Sequence, residues 1–159
     1  MNGVLEALQN SRFSQWVLVS EWGYPVLLTL HSIGLALLVG LLIVIDLRAL
    51  GIPRGIPIKP LNRLMTLVWA AFVVNLLSGL ALFVADGIKF FNSTAFRFKL
   101  SSIVVGIVLA VLIKRAVLNQ AERLDVSGEL IPLRAKAFAA VSILMWLSAI
   151  GFGRYMAYE

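Results

Sequence analysis

Residues 22–45 contain no Asp, Glu, Lys or Arg, and neither do residues 64–85. Runs of this length constrain the fold more than any other feature of the chain. A helix of about 20 apolar residues crosses the hydrocarbon core of a bilayer. In that medium each backbone N–H and C=O must be bonded internally, which a helix achieves within one segment. Residues 100–113 and 137–153 form two further uncharged runs. The third is short, but it reaches spanning length from Ala95 to Val117 if Arg97 and Lys99 snorkel towards the interface. The sequence therefore predicts an all-α, polytopic membrane protein. Its fold is an antiparallel four-helix transmembrane bundle in one domain, with spans of about 22–46, 64–86, 95–117 and 136–156.

Composition excludes the alternatives. Hydrophobic residues make up 60% of the 159 and charged residues 14%, whereas soluble domains average about 45–50% and about 25%. Too few polar side chains remain to cover a soluble surface. There is no cysteine, which removes disulfides, zinc–thiolate and iron–sulfur sites and thiol catalysis. There is one histidine, His31, so no multi-histidine metal site and no two-histidine haem can be built from one chain.

The first sixteen residues lack the basic start and apolar centre of a signal peptide. Leu5, Leu8, Phe13 and Trp16 among Asn2, Glu6, Gln9, Asn10, Arg12 and Gln15 predict a short amphipathic helix lying at the interface. Basic residues orient the bundle. Arg48, Arg54, Lys59 and Arg63 follow the first span; Lys114, Arg115, Arg123, Arg134 and Lys136 follow the third. Arg12, Lys89, Arg97, Lys99 and Arg154 belong to the other side. This asymmetry places both termini in the periplasm and both larger loops in the cytoplasm of a bacterial inner membrane. The net charge of +6 suits anionic head groups and needs no nucleic acid. Gly51, Pro53, Arg54, Pro57 and Pro60 predict a rigid non-helical connection, and Asp125 to Gly128 a turn before Pro132.

Small residues four apart mark the helix-packing faces: Ser32, Ala36 and Gly40; Ala71, Asn75 and Gly79; Ser102, Gly106 and Ala110; Ala149 and Gly153. Four thin helices enclose little interior, so the partners expected are the lipid bilayer and either further copies of the chain or other membrane subunits.

Few polar groups could carry chemistry. His31 lies about 15 residues, roughly 22 Å, from the inner end of its helix, inside the hydrocarbon region and nearer the outer face. An intramembrane ionisable group marks a functional site by default. The roles open to it are a haem or copper ligand, a proton-transfer group, a quinone hydrogen-bond partner, or a neutral histidine bonded to a neighbour. Ser78 and Ser102 fall at a similar depth and are the expected partners. Met65 and Met145, as second haem ligands, lie deeper. Arg97 and Lys99 stand at the start of the third span, with Ser93 or Thr94 as N-cap. They could hold a lipid phosphate, a cofactor carboxylate, or Asp86 or Glu21. Arg154 closes the last span. Asp46 ends the first, where it needs a cation such as Arg48, Arg63 or Arg115. Asn75 is expected to hydrogen-bond between helices. Trp16, Trp22, Tyr24, Tyr155 and Tyr158 fit an outer aromatic belt; Trp69 and Trp146 lie deeper and need partners for their indole N–H groups.

These residues carry a resemblance. Tyr24-Pro25, Leu30-His31-Ser32-Ile33-Gly34, Gly40 and Asp46-Leu47-Arg48-Ala49-Leu50-Gly51 resemble an uncharacterised family of bacterial four-helix inner-membrane proteins. Trp69, Ser78-Gly79, Phe96 with Lys99, and Trp146 with Gly153-Arg154-Tyr155, Ala157 and Tyr158 extend the match over nearly the whole chain. The architecture is also loosely similar to copper-resistance D-type and b-type cytochrome membrane domains. The resemblance implies signature positions at the histidine, the Asp-Leu-Arg stretch, the Phe and Lys of the third span and the terminal Gly-Arg. It implies no known activity. In the family pattern an acid often stands shortly before the histidine; here the positions are Leu28, Thr29 and Leu30.

The function expected is that of a small accessory or ligand-binding membrane subunit of haem or quinone type. His31, Lys99, Arg154, Arg97, Ser78 and Ser102 would hold the ligand, and His31 is the one candidate metal ligand. The alternative is a small transporter of copper or protons. Against it stand the absence of an acid at mid-depth and of a broken helix. No nucleophile motif points to an independent enzyme.

Overall fold

The computed structural model describes residues 2–53, 55–127, 130–156 and 158. Arg54, Gly128 and Ala157 lie outside the described residues, as do the side chains of Asn2 and Leu5. Four helices are long and apolar enough to cross a membrane, and no strand occurs among the described residues. The chain is a multi-pass membrane protein.

The N-terminal segment forms two short helices rather than one, α1 (Asn2–Gln9) and α2 (Arg12–Val19). The break at Asn10 and Ser11 follows from capping: the Ser11 hydroxyl accepts a hydrogen bond from the Ser14 N–H at 3.2 Å, which starts a new helix. α2 is anchored from beneath. Ser14 and Val17 are buried, and the Ser14 hydroxyl donates to the Ala85 carbonyl at 3.4 Å. Its other face leaves Phe13, Trp16 and Val19 exposed, as an interfacial helix requires.

The first span, α3 (Gly23–Leu50), runs one turn further inward than predicted. It stops where Gly51 takes a left-handed φ of 93°, which L-residues with a Cβ rarely adopt. The Gly51 and Ile52 N–H groups bond back to the carbonyls of Arg48 and Leu47, a Schellman ending. The remaining elements are α4 (Leu61–Ala85), the short α5 (Gly87–Asn92), α6 (Thr94–Ala116), a 3-10 turn (Leu118–Gln120), α7 (Ala121–Ser127) and α8 (Leu133–Tyr155). Ser93 caps α6, its hydroxyl accepting from the Phe96 N–H at 3.0 Å. Pro132 precedes α8, where its missing N–H costs nothing.

The spans are arranged in the order α4–α3–α8–α6. α3 packs against α4 and α8, and α8 against α6. No Cα atoms of α4 and α6 come within 8 Å of each other among the described residues. These two helices are tied at their ends instead. At the outer end the Phe83 and Phe96 rings stack at 5.5 Å; at the inner end the Asn62 amide donates to the Leu118 carbonyl at 3.1 Å.

The small residues act unequally. Gly34 lets α3 meet the backbone of α4: a Cβ there would lie 3.1 Å from the Asn75 nitrogen. Gly106 receives the buried Trp146 ring, and a Cβ there would lie 2.9 Å from its Cε2. The predicted stripe Ser32, Ala36 and Gly40 is exposed on the outside of α3. The buried line of that helix is Gly34, Leu38, Leu42, Ile45, Asp46 and Ala49. The core lies mostly inward of Gly34, around Leu42, Ile45, Met65, Val68 and Ile113.

Candidate functional site

α3 brings His31 against α4 at a place where α4 has no side chain in the way. A Cβ on Gly79 would lie 3.0 Å from the His31 Cε1. The ring therefore settles over Gly79, with Nδ1 at 3.0 Å from the Asn75 carbonyl and 3.2 Å from the Ser78 hydroxyl. A carbonyl only accepts, so Nδ1 carries the proton and donates to it. The Ser78 hydroxyl itself donates to the Val74 carbonyl at 2.7 Å. With Nδ1 protonated, the neutral ring has its lone pair on Nε2. The imidazole is thus fixed in tautomer and orientation by a backbone carbonyl, an arrangement that prepares a histidine to bind through its other nitrogen. The residue is half-buried, so part of the ring reaches the surface of the chain.

Of the two expected hydroxyl partners, Ser78 is present at His31. Ser102 is buried on α6, and no hydrogen bond joins it to His31 among the described residues. Lys99 stands one turn earlier on α6. Lys99 is half-buried, and its Cδ, Cε and Nζ lie over Gly153 of α8, 3.5 Å from where a Cβ would stand. Neither acid proposed as its partner takes that role: Asp86 accepts a hydrogen bond from the Gln9 amide at 3.4 Å, and no ion pair joins Asp86 or Glu21 to Lys99 or Arg97 among the described residues. Arg97 is exposed; two residues from Lys99, it points to the opposite side of the helix. Arg154 is also exposed and lies over the Tyr158 ring, 5.6 Å from its centroid. The structure therefore brings Ser78 to His31 and sets Lys99 over Gly153, while Arg97 and Arg154 are exposed and Ser102 is buried.

Asn75 departs from its expected role. Its backbone carbonyl accepts the interhelical bond, and its buried Oδ1 has no hydrogen-bond partner among the described residues. No group of three or more metal-ligating His, Asp or Glu side chains exists among the described residues. Met65 is buried in the inner core, away from His31.

Asp46 overturns its expectation. It is fully buried within α3, not at the helix end, and neither carboxylate oxygen has a partner in a hydrogen bond of normal geometry among the described residues. None of Arg48, Arg63 or Arg115 pairs with it. Arg48 is drawn away by the α3–α4 loop, where its Nε donates to the Ile56 carbonyl; Arg63 and Arg115 are exposed. The longer helix explains the change, because it buries position 46 a turn above the basic loop.

A model of a protein family described as a family of unknown function, DUF6644, matches residues 24–159. The chain belongs to DUF6644. His31, Ser78, Lys99, Arg154 and Asp46 all lie in the part that defines the DUF6644 family, whereas α1 and α2 precede it. No curated protein and no solved structure matches the chain.

Proposed function

We propose that this chain is a small membrane subunit that binds a lipid-soluble ligand of quinone type at His31. The observation that carries this reading is the His31 Nδ1 contact of 3.0 Å with the Asn75 carbonyl. It leaves Nε2 as a hydrogen-bond acceptor suited to a quinol hydroxyl. Lys99 supplies a cation for a second oxygen or for the anionic ring. The half-exposed position of His31 on the α3–α4 pair supports lateral access from the bilayer. Arg97 and Arg154, at the rim, suit head groups or carboxylates. Ser102 borders the site one turn deeper on α6.

The same Nε2 would serve as an axial ligand to haem, with the second ligand coming from another copy or subunit. A second chain is in keeping with the outward stripe Ser32, Ala36 and Gly40, which suits close helix packing and has no neighbour within 4 Å at Gly40. In this reading the membrane is a bacterial inner membrane with both termini outside. Transport of copper or protons is the competing reading; a copper path finds no ligand cluster in its support among the described residues.

The test is titration of a short-chain benzoquinol onto the purified protein in lipid nanodiscs, read by calorimetry. Wild type is expected to bind and His31→Ala to lose at least tenfold in affinity. Unchanged affinity in His31→Ala would remove the site. A Soret band after expression with haem supply would replace quinone by haem, and a proton or copper flux abolished by His31→Ala would replace binding by transport.

A further inference from the structure

The inner half of the bundle contains a second polar group that the reading above does not use. Asp46 of α3 is fully buried, and Ser142 and Trp146, one turn apart on α8, are buried to within 1% of their surface. Ser142 is the hydroxyl within reach of the Asp46 carboxyl. Both Asp46 oxygens, the Ser142 Oγ and the Trp146 Nε1 have no protein partner in a hydrogen bond of normal geometry. An isolated carboxylate in an apolar interior is costly by several kcal/mol, and such a group ordinarily takes up a proton instead.

The charged groups nearby do not relieve that cost. On α3, Arg48 is bonded to the Ile56 carbonyl. On α4, Arg63 is exposed, and the buried position at the same end is Met65. On α6, Arg115 is exposed and Lys114 half-buried, and the buried position is Ile113. On α8, Arg134 is exposed and Lys136 half-buried, and Ser142 faces the acid. None pairs with Asp46 among the described residues. A metal cation fits poorly, because one carboxyl and one hydroxyl offer few oxygens and the indole N–H is a donor.

We infer that Asp46 and Ser142 form a buried proton-binding site between α3 and α8, in which Asp46 is a neutral carboxylic acid that donates to the Ser142 hydroxyl. An ionised Asp46 would have no partner in the closed seam, so the buried carboxyl holds its proton.

The test is infrared spectroscopy of the full chain in lipid at neutral pH. A protonated carboxyl gives a carbonyl stretch distinct from that of a carboxylate. Wild type is expected to show this band, to shift it when aspartates are labelled with carbon-13, and to lose it entirely in Asp46→Asn. The chain has only three aspartates, Asp46, Asp86 and Asp125. If Asp46→Asn does not fold, Asp86→Asn provides the second arm and must keep the band at full intensity. The absence of the band in wild type, its persistence in Asp46→Asn, or its loss in Asp86→Asn would each overturn the site. So would a wild-type band that carbon-13 aspartate leaves unmoved. None of these outcomes depends on quinone binding at His31.

Discussion

The two halves of the bundle treat polar groups in opposite ways. In the outer half, His31 is held by the Asn75 carbonyl and Ser78 yet stays half-exposed, and the half-buried Lys99 lies over Gly153. In the inner half, Asp46, Ser142 and Trp146 are fully enclosed, and Asp46 Oδ1 and Oδ2, Ser142 Oγ and Trp146 Nε1 make no hydrogen bond of normal geometry among the described residues. The outer arrangement fixes a group and presents it; the inner one hides its groups and closes over them. Packing explains the contrast. The inner half contains most of the apolar core, and its loops are pinned together. The outer half depends on glycines, whose missing side chains leave room for a ring.

The largest effect should come from filling the glycine that lets α3 meet the Asn75 backbone of α4. Gly34 faces backbone, which cannot rotate away as a side chain can. Gly34→Leu should push α3 from α4 and lower stability in detergent by about 3 kcal/mol, the upper end of ordinary overpacking. Helical circular dichroism on heating would measure it. The His31 bond to Asn75 should be lost with the same variant. A transition unchanged from wild type would show that the seam is looser than the contacts imply.

The inner half has an equivalent pin. Asp125 accepts the Ile58 N–H at 2.8 and 2.9 Å and the Lys59 N–H at 2.9 Å. It thereby caps the α3–α4 loop from α7. Asp125→Ala leaves the N–H of buried Ile58 unpaired and should cost about 2 kcal/mol, again read by thermal unfolding. The comparison would then be sharpened: inner stability rests on loop capping, outer stability on glycine packing.

Much of this is legible in the sequence. The uncharged runs specify four spans, and depth offers Ser78 and Ser102 as partners of His31, of which Ser78 is the one bonded to it. That Lys99 lies over Gly153 is not readable, because helix stagger sets that and no local pattern encodes stagger. The Ser32, Ala36 and Gly40 stripe misled for a related reason. Small-residue spacing marks a face able to pack closely, not the neighbour that uses it. Asp46 was misplaced by four residues of helix. The apolar run ends at Ile45, but the helix ends where Gly51 can adopt positive φ, and that distance decides whether the acid meets the basic loop or the core.

A smaller effect separates the two anchors of His31. Ser78→Ala removes one contact of 3.2 Å and leaves the Asn75 carbonyl in place. The ring keeps its tautomer, so stability should fall by about 1 kcal/mol and benzoquinol affinity by only a few-fold. A loss as large as that of His31→Ala would show that the hydroxyl, not the carbonyl, sets the orientation.

The smallest effect belongs to the one ion pair seen among the described residues, Lys59 with Glu122 at 2.9 Å. It lies on the same inner surface as Asp125 but outside the closed core. Glu122 holds the Lys59 ammonium above its ordinary range, through a hydrogen bond and through its charge. The sign follows: the pair contributes fully between the usual glutamate and lysine values of about 4.3 and about 10.4, and it is lost as pH rises through the higher folded value of Lys59 or falls through the lowered folded value of Glu122. Both side chains are largely exposed, at 70% and 80%, so water and salt screen them. Glu122→Gln should therefore leave the thermal transition unshifted at neutral pH, at low and high salt alike. A clear, salt-sensitive loss would mean that the inner loops are held by charge as well as by the Asp125 cap, and would move the boundary of the closed half outward to the surface.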